Sequence, residues 1–130
     1  MDKKINISID IDGTLNSSDT SISFFQIMTH LLHPDPDIHI TILTGREPGT
    51  ESEIRNELAQ MNILYDKIVI TDNKQKYIID NKISVVFENE DESFKYLGNE
   101  ILVLKAREDQ NYNYKTGCWI GSKKTVEMID

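Results

Sequence analysis

The sequence is poor in cysteine, in proline and in long apolar runs. Its 130 residues include one cysteine, Cys118, and three prolines, so a disulfide framework and a proline-rich linker are excluded. No apolar stretch approaches the about 20 residues that a membrane-spanning helix needs. Residues 1–5 run directly into a strand pattern without a signal peptide. These absences predict a soluble, cytoplasmic protein in which residues 1–130 form a single domain.

Basic residues are also scarce. Lysine and arginine number 14 against 22 acidic residues, which gives a formal net charge of −8 at pH 7. Phosphate backbones and anionic lipid repel a chain of this charge at long range. Tight, non-specific binding to nucleic acid or to membranes is therefore disfavoured, although a local basic side chain could still hold one phosphate group.

Apolar periodicity predicts about five strands that alternate with helices. Apolar, largely β-branched runs predict strands at 5–11, 38–42, 67–71, 84–88 and 101–104. Strands that alternate with helices are typical of βαβ units with right-handed crossovers. We therefore expect an α/β protein, a three-layer Rossmann-like fold with a mainly parallel central sheet.

Four helices are predicted between these strands. The first presents an apolar face made of Phe24, Phe25, Met28, Leu31 and Leu32. A capping box, Thr50 with Glu53, opens the second, whose apolar positions are Ile54, Leu58 and Met61. The others are expected over residues 73–80 and 92–97.

Polar side chains follow three of the predicted strands. They are Asp10, Asp12, Thr44, Arg46, Glu88 and Asn89. In open α/β sheets the ligand crevice lies beyond the carboxyl ends of the strands. We therefore expect these side chains to line one site.

Asp10 and Asp12 stand two residues apart at the end of a buried strand. Like charges held close together in a low dielectric raise a pKa unless a cation neutralises them. A divalent metal is the simplest such cation, and all-oxygen surroundings favour Mg²⁺. The three histidines and one cysteine lack the spacing of a zinc site. The sequence therefore predicts a magnesium site at the two aspartates.

The residues beside this pair are suited to phosphate. Gly13 permits a tight turn, and Thr14 adds a hydroxyl and an amide that could cradle a phosphate oxygen. Thr44 offers a second hydroxyl. A mobile positive charge would come from Lys74, with Lys76 as the alternative. Because phosphoryl transfer depends on positioning and charge stabilisation, these groups indicate phosphoryl chemistry.

The segment Ile9–Leu15, with the sequence Ile-Asp-Ile-Asp-Gly-Thr-Leu, resembles the first motif of the haloacid dehalogenase superfamily of phosphohydrolases. Ile42–Arg46 resembles the second motif, Lys74 stands where the lysine motif belongs, and Val85–Asn89 resembles the fourth, acidic motif. The motifs occur in family order over about two-thirds of the chain.

The resemblance implies a magnesium-dependent phosphatase that forms an aspartyl-phosphate. Asp10 would be the nucleophile, and Asp12 would be the acid and base whose backbone carbonyl helps to bind Mg²⁺. The phosphoryl oxygens would be held by Thr44 and Lys74. The other implied substrate-binding residues are Gly13, Thr14, Gly45 and Arg46. The implied metal ligands are Asp10, Asp12, Glu88 and Asn89.

One position departs from the family pattern, because the fourth motif usually presents two adjacent acids and here the second is Asn89. An amide can still supply an oxygen ligand, but the loss of one negative charge should weaken Mg²⁺ binding. A shifted register, in which Glu90 and Asp91 replace Glu88 and Asn89, is the alternative. We favour Glu88 and Asn89 because they directly end the strand.

No cap domain is expected, because about 23 residues separate Leu15 from the strand at Ile38 and one helix accounts for them. An uncapped site suits an accessible phosphomonoester, such as a nucleotide. Two similarities favour nucleotide or nucleic acid. The segment Thr44–Thr50 is similar to the second-motif region of phage polynucleotide kinase-phosphatases, and Gln110–Asn113 with Trp119 is similar to small 5′-nucleotidase-like members.

Three functions follow as alternatives. The first is a phosphatase of nucleotide-like or other accessible phosphomonoesters. The second is a nucleic-acid 3′-end phosphatase, against which the net charge argues. The third is a catalytically weak domain of the same family that binds phosphate or a protein partner. No partner at a membrane is expected, and the oligomeric state has no signal in the sequence.

Overall fold

The computed structural model describes residues 4–121, and its centre is a five-stranded sheet. The strands are β1 (Ile5–Ile9), β2 (Ile38–Thr44), β3 (Lys67–Ile70), β4 (Val85–Glu88) and β5 (Leu102–Lys105). Their order is β3-β2-β1-β4-β5, and every neighbouring pair is parallel. The parallel sheet that the alternating pattern predicted is confirmed.

Three α-helices cover the two faces of the sheet. They are α1 (Asp19–Leu32), α2 (Glu51–Gln60) and α3 (Lys74–Asp80). Helices α1 and α2 pack on one face, where Phe25, Ile54 and Leu58 meet the isoleucines of β1 and β2. Helix α3 packs on the opposite face, where Ile78 meets Leu43 and Val86. The three-layer Rossmann-like fold is confirmed.

Strand β1 lies at the point where the chain changes direction across the sheet. The chain places β2 and β3 on one side of β1 and then crosses to place β4 and β5 on the other. The backbone N–H of Asp10 donates to the carbonyl of Phe87 at 3.0 Å, so the chain leaves β1 beside the end of β4. Ligand crevices of open α/β sheets form at such a switch point, which locates the expected site.

The apolar face of α1 is narrower than its sequence predicts. Phe25 is buried and Met28 and Leu32 are partly buried against the core, but Phe24 is 52% exposed and Leu31 is 72% exposed. A helix that lies on a flat sheet buries one stripe, and the adjacent apolar positions fall outside it. The helical spacing of the apolar residues is therefore correct, but Phe24 and Leu31 lie outside the stripe that packs on the core.

Two local predictions also fail. Thr50 precedes α2, but its hydroxyl donates to the carbonyl of Glu47 at 2.7 Å and no side-chain cap bond forms, so the capping box is absent. The helix expected over 92–97 is a single 3₁₀ turn, Asp91–Ser93. After Ser93 the chain continues in turns, in which the N–H of Leu97 donates to the carbonyl of Phe94 at 3.0 Å, instead of in a longer helix.

The segment after β5 contains an element that the sequence did not predict. Strands β6 (Tyr112–Asn113) and β7 (Cys118–Trp119) form a small antiparallel ribbon. Within residues 4–121 no cap domain stands over the sheet, as expected, because a helical turn over Ile11–Leu15 and α1 fill the connection from β1 to β2. In the same residues, none of the helices has the length and apolar character to cross a membrane.

A buried and an exposed leucine of these helices should differ in how much stability is lost when the side chain is shortened to alanine. We expect Leu58→Ala, at a fully buried position of α2, to lower the free energy of unfolding by about 2–5 kcal/mol because it leaves a cavity. Leu31→Ala, at an exposed position of α1, should change it by less than about 0.5 kcal/mol. Urea denaturation followed by circular dichroism measures both, and equal losses would contradict the described packing.

Candidate active site

Asp10 lies at the end of β1 and is 4% exposed. The ammonium of Lys74, the first residue of α3, donates to its Oδ1 at 2.7 Å. The hydroxyl of Thr14 donates to its Oδ2 at 2.9 Å. Both carboxylate oxygens of Asp10 are therefore held by side chains from two different segments.

Lys74 also reaches the carboxylate at the end of β4. Its Nζ donates to Glu88 Oε1 at 3.0 Å. The other oxygen of Glu88 accepts the backbone N–H groups of Asn89 at 3.1 Å and of Glu90 at 3.2 Å. Asn73 caps α3 by accepting the N–H of Lys76, which fixes where the helix starts. The result is a buried ion triad made of Asp10, Lys74 and Glu88.

The triad carries an excess of negative charge. Burial and the neighbouring Glu88 carboxylate raise the pKa of Asp10 to about 7, against the opposing effects of Lys74 and Thr14. Burial alone would lower the pKa of Lys74, but the two carboxylates outweigh burial and raise it. Two carboxylates thus face one ammonium, and an added cation would relieve their repulsion.

Asp12 is in a different environment from Asp10. Its carboxylate accepts two hydrogen bonds from the guanidinium of Arg46, Nε to Oδ2 at 2.9 Å and Nη2 to Oδ1 at 2.8 Å. Arg46 also pairs with Glu57 of α2 at 2.8 Å. The Arg46 hydrogen bonds lower the pKa of Asp12 although partial burial opposes them, so Asp12 is ionised in this structure.

The turn after β1 depends on Gly13. Its φ is +83°, in the left-handed region that favours glycine, and a Cβ there would collide with the amide of Asn89. The turn places Asp12 on the open side of the sheet edge, 59% exposed at the side chain, while Asp10 stays buried. One aspartate is thereby buried beside Lys74 and the other faces solvent.

An open cleft of about 440 Å³ joins most of the predicted residues. Its lining includes Asp10, Asp12, Thr44, Gly45, Arg46 and Lys74, together with Thr71, Asp72, Asn73, Glu90, Glu92 and Ser93. Thr44 is buried at the tip of β2, and its Oγ1 accepts the N–H of Arg46 at 3.3 Å. Lys76, the alternative lysine, instead pairs with Asp80 on the exposed side of α3.

Asn89 is 6% exposed and, with Asp12, Gly13 and Glu108, lines a neighbouring cavity of about 460 Å³. Its Oδ1 is 3.4 Å from Thr14 Oγ1, the hydroxyl that is bonded to Asp10. Asp91, the alternative in the shifted register, forms an ion pair with Lys105 at 2.7 Å. The structure thus places Asn89, and not Asp91, beside Asp10.

The oxygen donors around Asp10 are of the type that Mg²⁺ prefers. The Asp10 carboxylate and the Asn89 Oδ1 flank the Thr14 hydroxyl, so the groups gathered there present oxygen, and the triad carries excess negative charge. Within residues 4–121, no group of three or more histidine, cysteine or carboxylate side chains is arranged to hold a metal. A magnesium ion here would therefore use the amide oxygen and backbone oxygen as well as carboxylate.

Two residues of this site, Glu108 and Asn111, belong to none of the sequence motifs. Glu108 accepts the Nδ2 amide of Asn89 at 3.1 Å. Asn111 donates from its Nδ2 to the backbone carbonyls of Asn89 at 3.0 Å and Ala106 at 2.8 Å. Neither residue follows a strand or lies in a motif, so only the path of the chain after β5 reveals them.

Comparison with known proteins places this geometry in context. The sequence matches the family described as haloacid dehalogenase-like hydrolase over residues 7–128. A chain in the solved structure of a Pnkp1/Rnl/Hen1 complex is similar, with a TM-score of 0.61 and 16% identity over 82% of this chain and 46% of that chain. A universal stress protein in complex with cAMP has a TM-score of 0.47 and 15% identity over 79% of this chain and 96% of that chain. No curated protein matches. The chain thus spans less than half the length of the first relative, whose fold it shares.

The pKa of Asp10 is raised and that of Asp12 is lowered, so replacing each by asparagine should change the stability in opposite directions. Because the folded-state pKa of Asp10 is raised to about 7 from 3.8, the wild type should lose stability as pH rises from about 4 through 7. Asp10→Asn removes that loss and should raise the free energy of unfolding at pH 8 by on the order of 1–3 kcal/mol.

Asp12→Asn is the matched control. Because the folded-state pKa of Asp12 is lowered, its ionised form stabilises the fold at every pH above the unfolded-state pKa of aspartate. This variant should be less stable than the wild type at pH 8. Urea denaturation at pH 4 and pH 8 in EDTA measures both variants. If Asp10→Asn were less stable than the wild type at pH 8, the claim that the triad carries excess negative charge would be wrong.

Proposed function

The chain belongs to the haloacid dehalogenase-like hydrolases, and from this premise we propose that it is a magnesium-dependent phosphatase of accessible phosphomonoesters such as nucleotides. One observation supports this most: the buried Asp10 carboxylate lies 2.7 Å from the Lys74 ammonium at the bottom of an open cleft. A carboxylate held in this way is a nucleophile that needs no movement of the backbone. We also propose that residues 1–130 act as one domain.

In the first step, a carboxylate oxygen of Asp10 attacks the phosphorus of the monoester. The new bond to phosphorus forms as the ester P–O bond breaks, and the leaving oxygen takes a proton from Asp12. The hydroxyl of Thr44 and the ammonium of Lys74 bind the phosphoryl oxygens, and Gly45 lines the cleft with them. Gly13 and Thr14, in the turn after β1, complete the proposed phosphate-binding set. Lys74 thereby stabilises charge that develops during transfer.

In the second step, Asp12 takes a proton from water and the oxygen of that water attacks the phosphorus of the aspartyl-phosphate. The bond between phosphorus and Asp10 breaks, inorganic phosphate leaves and the Asp10 carboxylate is restored. Asp12 thus alternates between acid and base. Its exposed position allows it to exchange protons with solvent.

Arg46 connects substrate binding to the protonation of Asp12. While the guanidinium holds both oxygens of Asp12, the pKa of that carboxyl stays low and it cannot act as an acid. A phosphate group entering the cleft competes for the same guanidinium. We therefore assign Arg46 to substrate binding, with its release from Asp12 as the event that permits protonation.

Magnesium fits the donor set described above, and when bound it would neutralise charge between Asp10 and the phosphoryl group. The residues that would hold it are Asp10, the backbone carbonyl of Asp12, and Asn89. Glu88, the fourth ligand that the resemblance implies, has both oxygens bonded to Lys74 and to backbone N–H groups, so we propose that it contributes negative charge to the site. In this account Asn89 is the ligand and Asp91 is not.

A second candidate is a nucleic-acid 3′-end phosphatase, and the aromatic ribbon favours it. Arg107 lies over the rings of Tyr112 at 4.8 Å and Tyr114 at 5.3 Å, and Lys105 lies over Trp119 at 4.0 Å. Tyr114 and Trp119 are 55% and 42% exposed. Exposed rings with cations are surfaces on which bases stack, whereas the net charge of −8 opposes a long polyanion.

A third candidate, a catalytically weak domain that binds phosphate or a protein, has less support. A protein that only binds phosphate has no need of a buried nucleophile beside an exposed acid. Asp10 and Asp12 occupy those two environments here. Activity measurements separate this candidate from the other two.

The proposal predicts that two lysines of α3 differ in their effects on phosphatase activity. With Mg²⁺ and p-nitrophenyl phosphate, Lys74→Met should lower kcat/KM by about 10²-fold or more because it removes the charge beside Asp10. Lys76 is two residues away, and its exposed side chain pairs with Asp80. Lys76→Met should therefore keep a kcat/KM within about twofold of the wild type. Circular dichroism checks that both variants fold, and equal activities would refute the role of Lys74.

Substrate preference separates the first two candidates. Under the first, nucleoside monophosphates are hydrolysed at least as fast as a 3′-phosphorylated oligonucleotide, and Tyr114→Ala changes kcat/KM for both by less than about threefold. Under the second, the oligonucleotide is preferred and Tyr114→Ala lowers its kcat/KM by about 10-fold, because a stacked base is worth about 1–3 kcal/mol. Phosphate release measures both. Preference for nucleotides is the expected result.

A further inference from the structure

The loop after β5 brings a carboxylate to the back of the Asp10 site. We propose that Glu108 is a positioning residue that aims the Oδ1 of Asn89 at the magnesium position and supplies the negative charge that the Asn89 amide lacks. This inference rests on the proposed function, because it concerns the ion that the proposed phosphatase uses. It adds to the site a residue that no motif of the sequence indicates.

The orientation of Asn89 depends on Glu108. The Nδ2 of Asn89 donates to Glu108 Oε2 at 3.1 Å, so the amide nitrogen points away from Asp10. The amide oxygen then faces the hydroxyl of Thr14, which is bonded to Asp10 Oδ2 at 2.9 Å. Glu108 thereby preorganises the amide, with its oxygen toward Asp10 before any cation binds.

The backbone around Glu108 is itself held in place. Its N–H donates to Asn111 Oδ1 at 2.8 Å. The Nδ2 of Asn111 in turn bonds the backbone carbonyls of Asn89 and Ala106. The loop is therefore tied both to the end of β5 and to Asn89, so the Glu108 carboxylate has a defined position relative to the amide that it orients.

Glu108 lies against the turn that carries the two aspartates. A Cβ built on Gly13 would come within 3.3 Å of the Glu108 carboxyl carbon. Within residues 4–121, no lysine or arginine forms an ion pair with Glu108. Its negative charge would therefore attract a cation bound near Asp10 and Asn89, although Glu108 itself bonds to the amide nitrogen of Asn89.

This arrangement accounts for the departure at position 89. An amide ligand lowers the negative charge of the donor set by one relative to an aspartate. A carboxylate that accepts the N–H of that amide restores the charge and polarises the amide, so that its oxygen is a better ligand. Partners of this kind, bonded to metal ligands, typically change metal affinity by 10–100-fold when they are mutated.

The test is the dissociation constant of Mg²⁺, measured by isothermal titration calorimetry without substrate. Glu108→Gln removes the charge but keeps an acceptor, and we expect about 10-fold weaker binding; Glu108→Ala removes both, and we expect a larger loss, up to about 100-fold. Asp109→Asn is the matched control, since it removes the same charge from the adjacent exposed residue. It should change the affinity by less than about threefold.

A rescue variant separates charge supply from a merely structural role. Asn89→Asp combined with Glu108→Gln puts the acid back at position 89 and leaves an amide at 108 that can donate to it. We expect this double variant to bind Mg²⁺ within about threefold of the wild type, although Glu108→Gln alone does not. The melting temperature without metal should be the same in Glu108→Gln and Asp109→Asn within about 3 °C.

Three outcomes would overturn the inference: Glu108→Gln binding Mg²⁺ as tightly as Asp109→Asn, a Glu108→Gln loss that the double variant does not rescue, or a wild type that binds no Mg²⁺. Failure of the proposed function is recognised separately. A wild type that binds Mg²⁺ with the expected dependence on Glu108 but hydrolyses no phosphomonoester would refute the phosphatase and leave the inference standing.

Discussion

The ion triad of Asp10, Lys74 and Glu88 is the interaction on which the rest of the site depends. One ammonium, 2.7 and 3.0 Å from two buried carboxylates, links the ends of β1 and β4 to the start of α3. Removal of Lys74 would take away the cation that the two buried carboxylates share, which lowers stability and favours the protonated form of Asp10. The triad therefore fixes the geometry of the nucleophile and requires the three elements to meet at one point.

The triad is not electrically balanced, and its imbalance connects stability with function. A protein selected for stability alone would place one carboxylate opposite Lys74, but here a second raises the pKa of Asp10 to about 7. The excess charge costs stability in the absence of a cation and favours the binding of one. Asn89, whose Oδ1 faces the Thr14 hydroxyl, and Glu108, which accepts the Asn89 amide, extend the same oxygen-rich region into the neighbouring cavity. Arg46 neutralises Asp12 on the other side.

The sequence predicted the parts of this arrangement that depend on short-range patterns. Apolar, largely β-branched runs predicted the five strands. Because the carboxyl ends of parallel strands lie at the same edge of a sheet, Asp10 and Glu88 were expected to lie close together. Periodicity placed Phe24 and Leu31 in the apolar repeat of α1, but it could not say which stripe of that repeat faces the sheet, and both side chains are exposed. Glu108 was missed because its contact with Asn89 depends on the path of the chain after β5, and no local pattern encodes that path.

The central claim is that Asp10 forms a covalent bond to phosphorus. The most direct measurement is to quench the wild type with acid during turnover of a ³²P-labelled phosphomonoester in Mg²⁺, and then to map the labelled peptide by mass spectrometry. Our account predicts an acid-stable label on Asp10 that hydroxylamine removes, as expected for an acyl phosphate. Turnover with no label on the protein, or a label on any other residue, would contradict it.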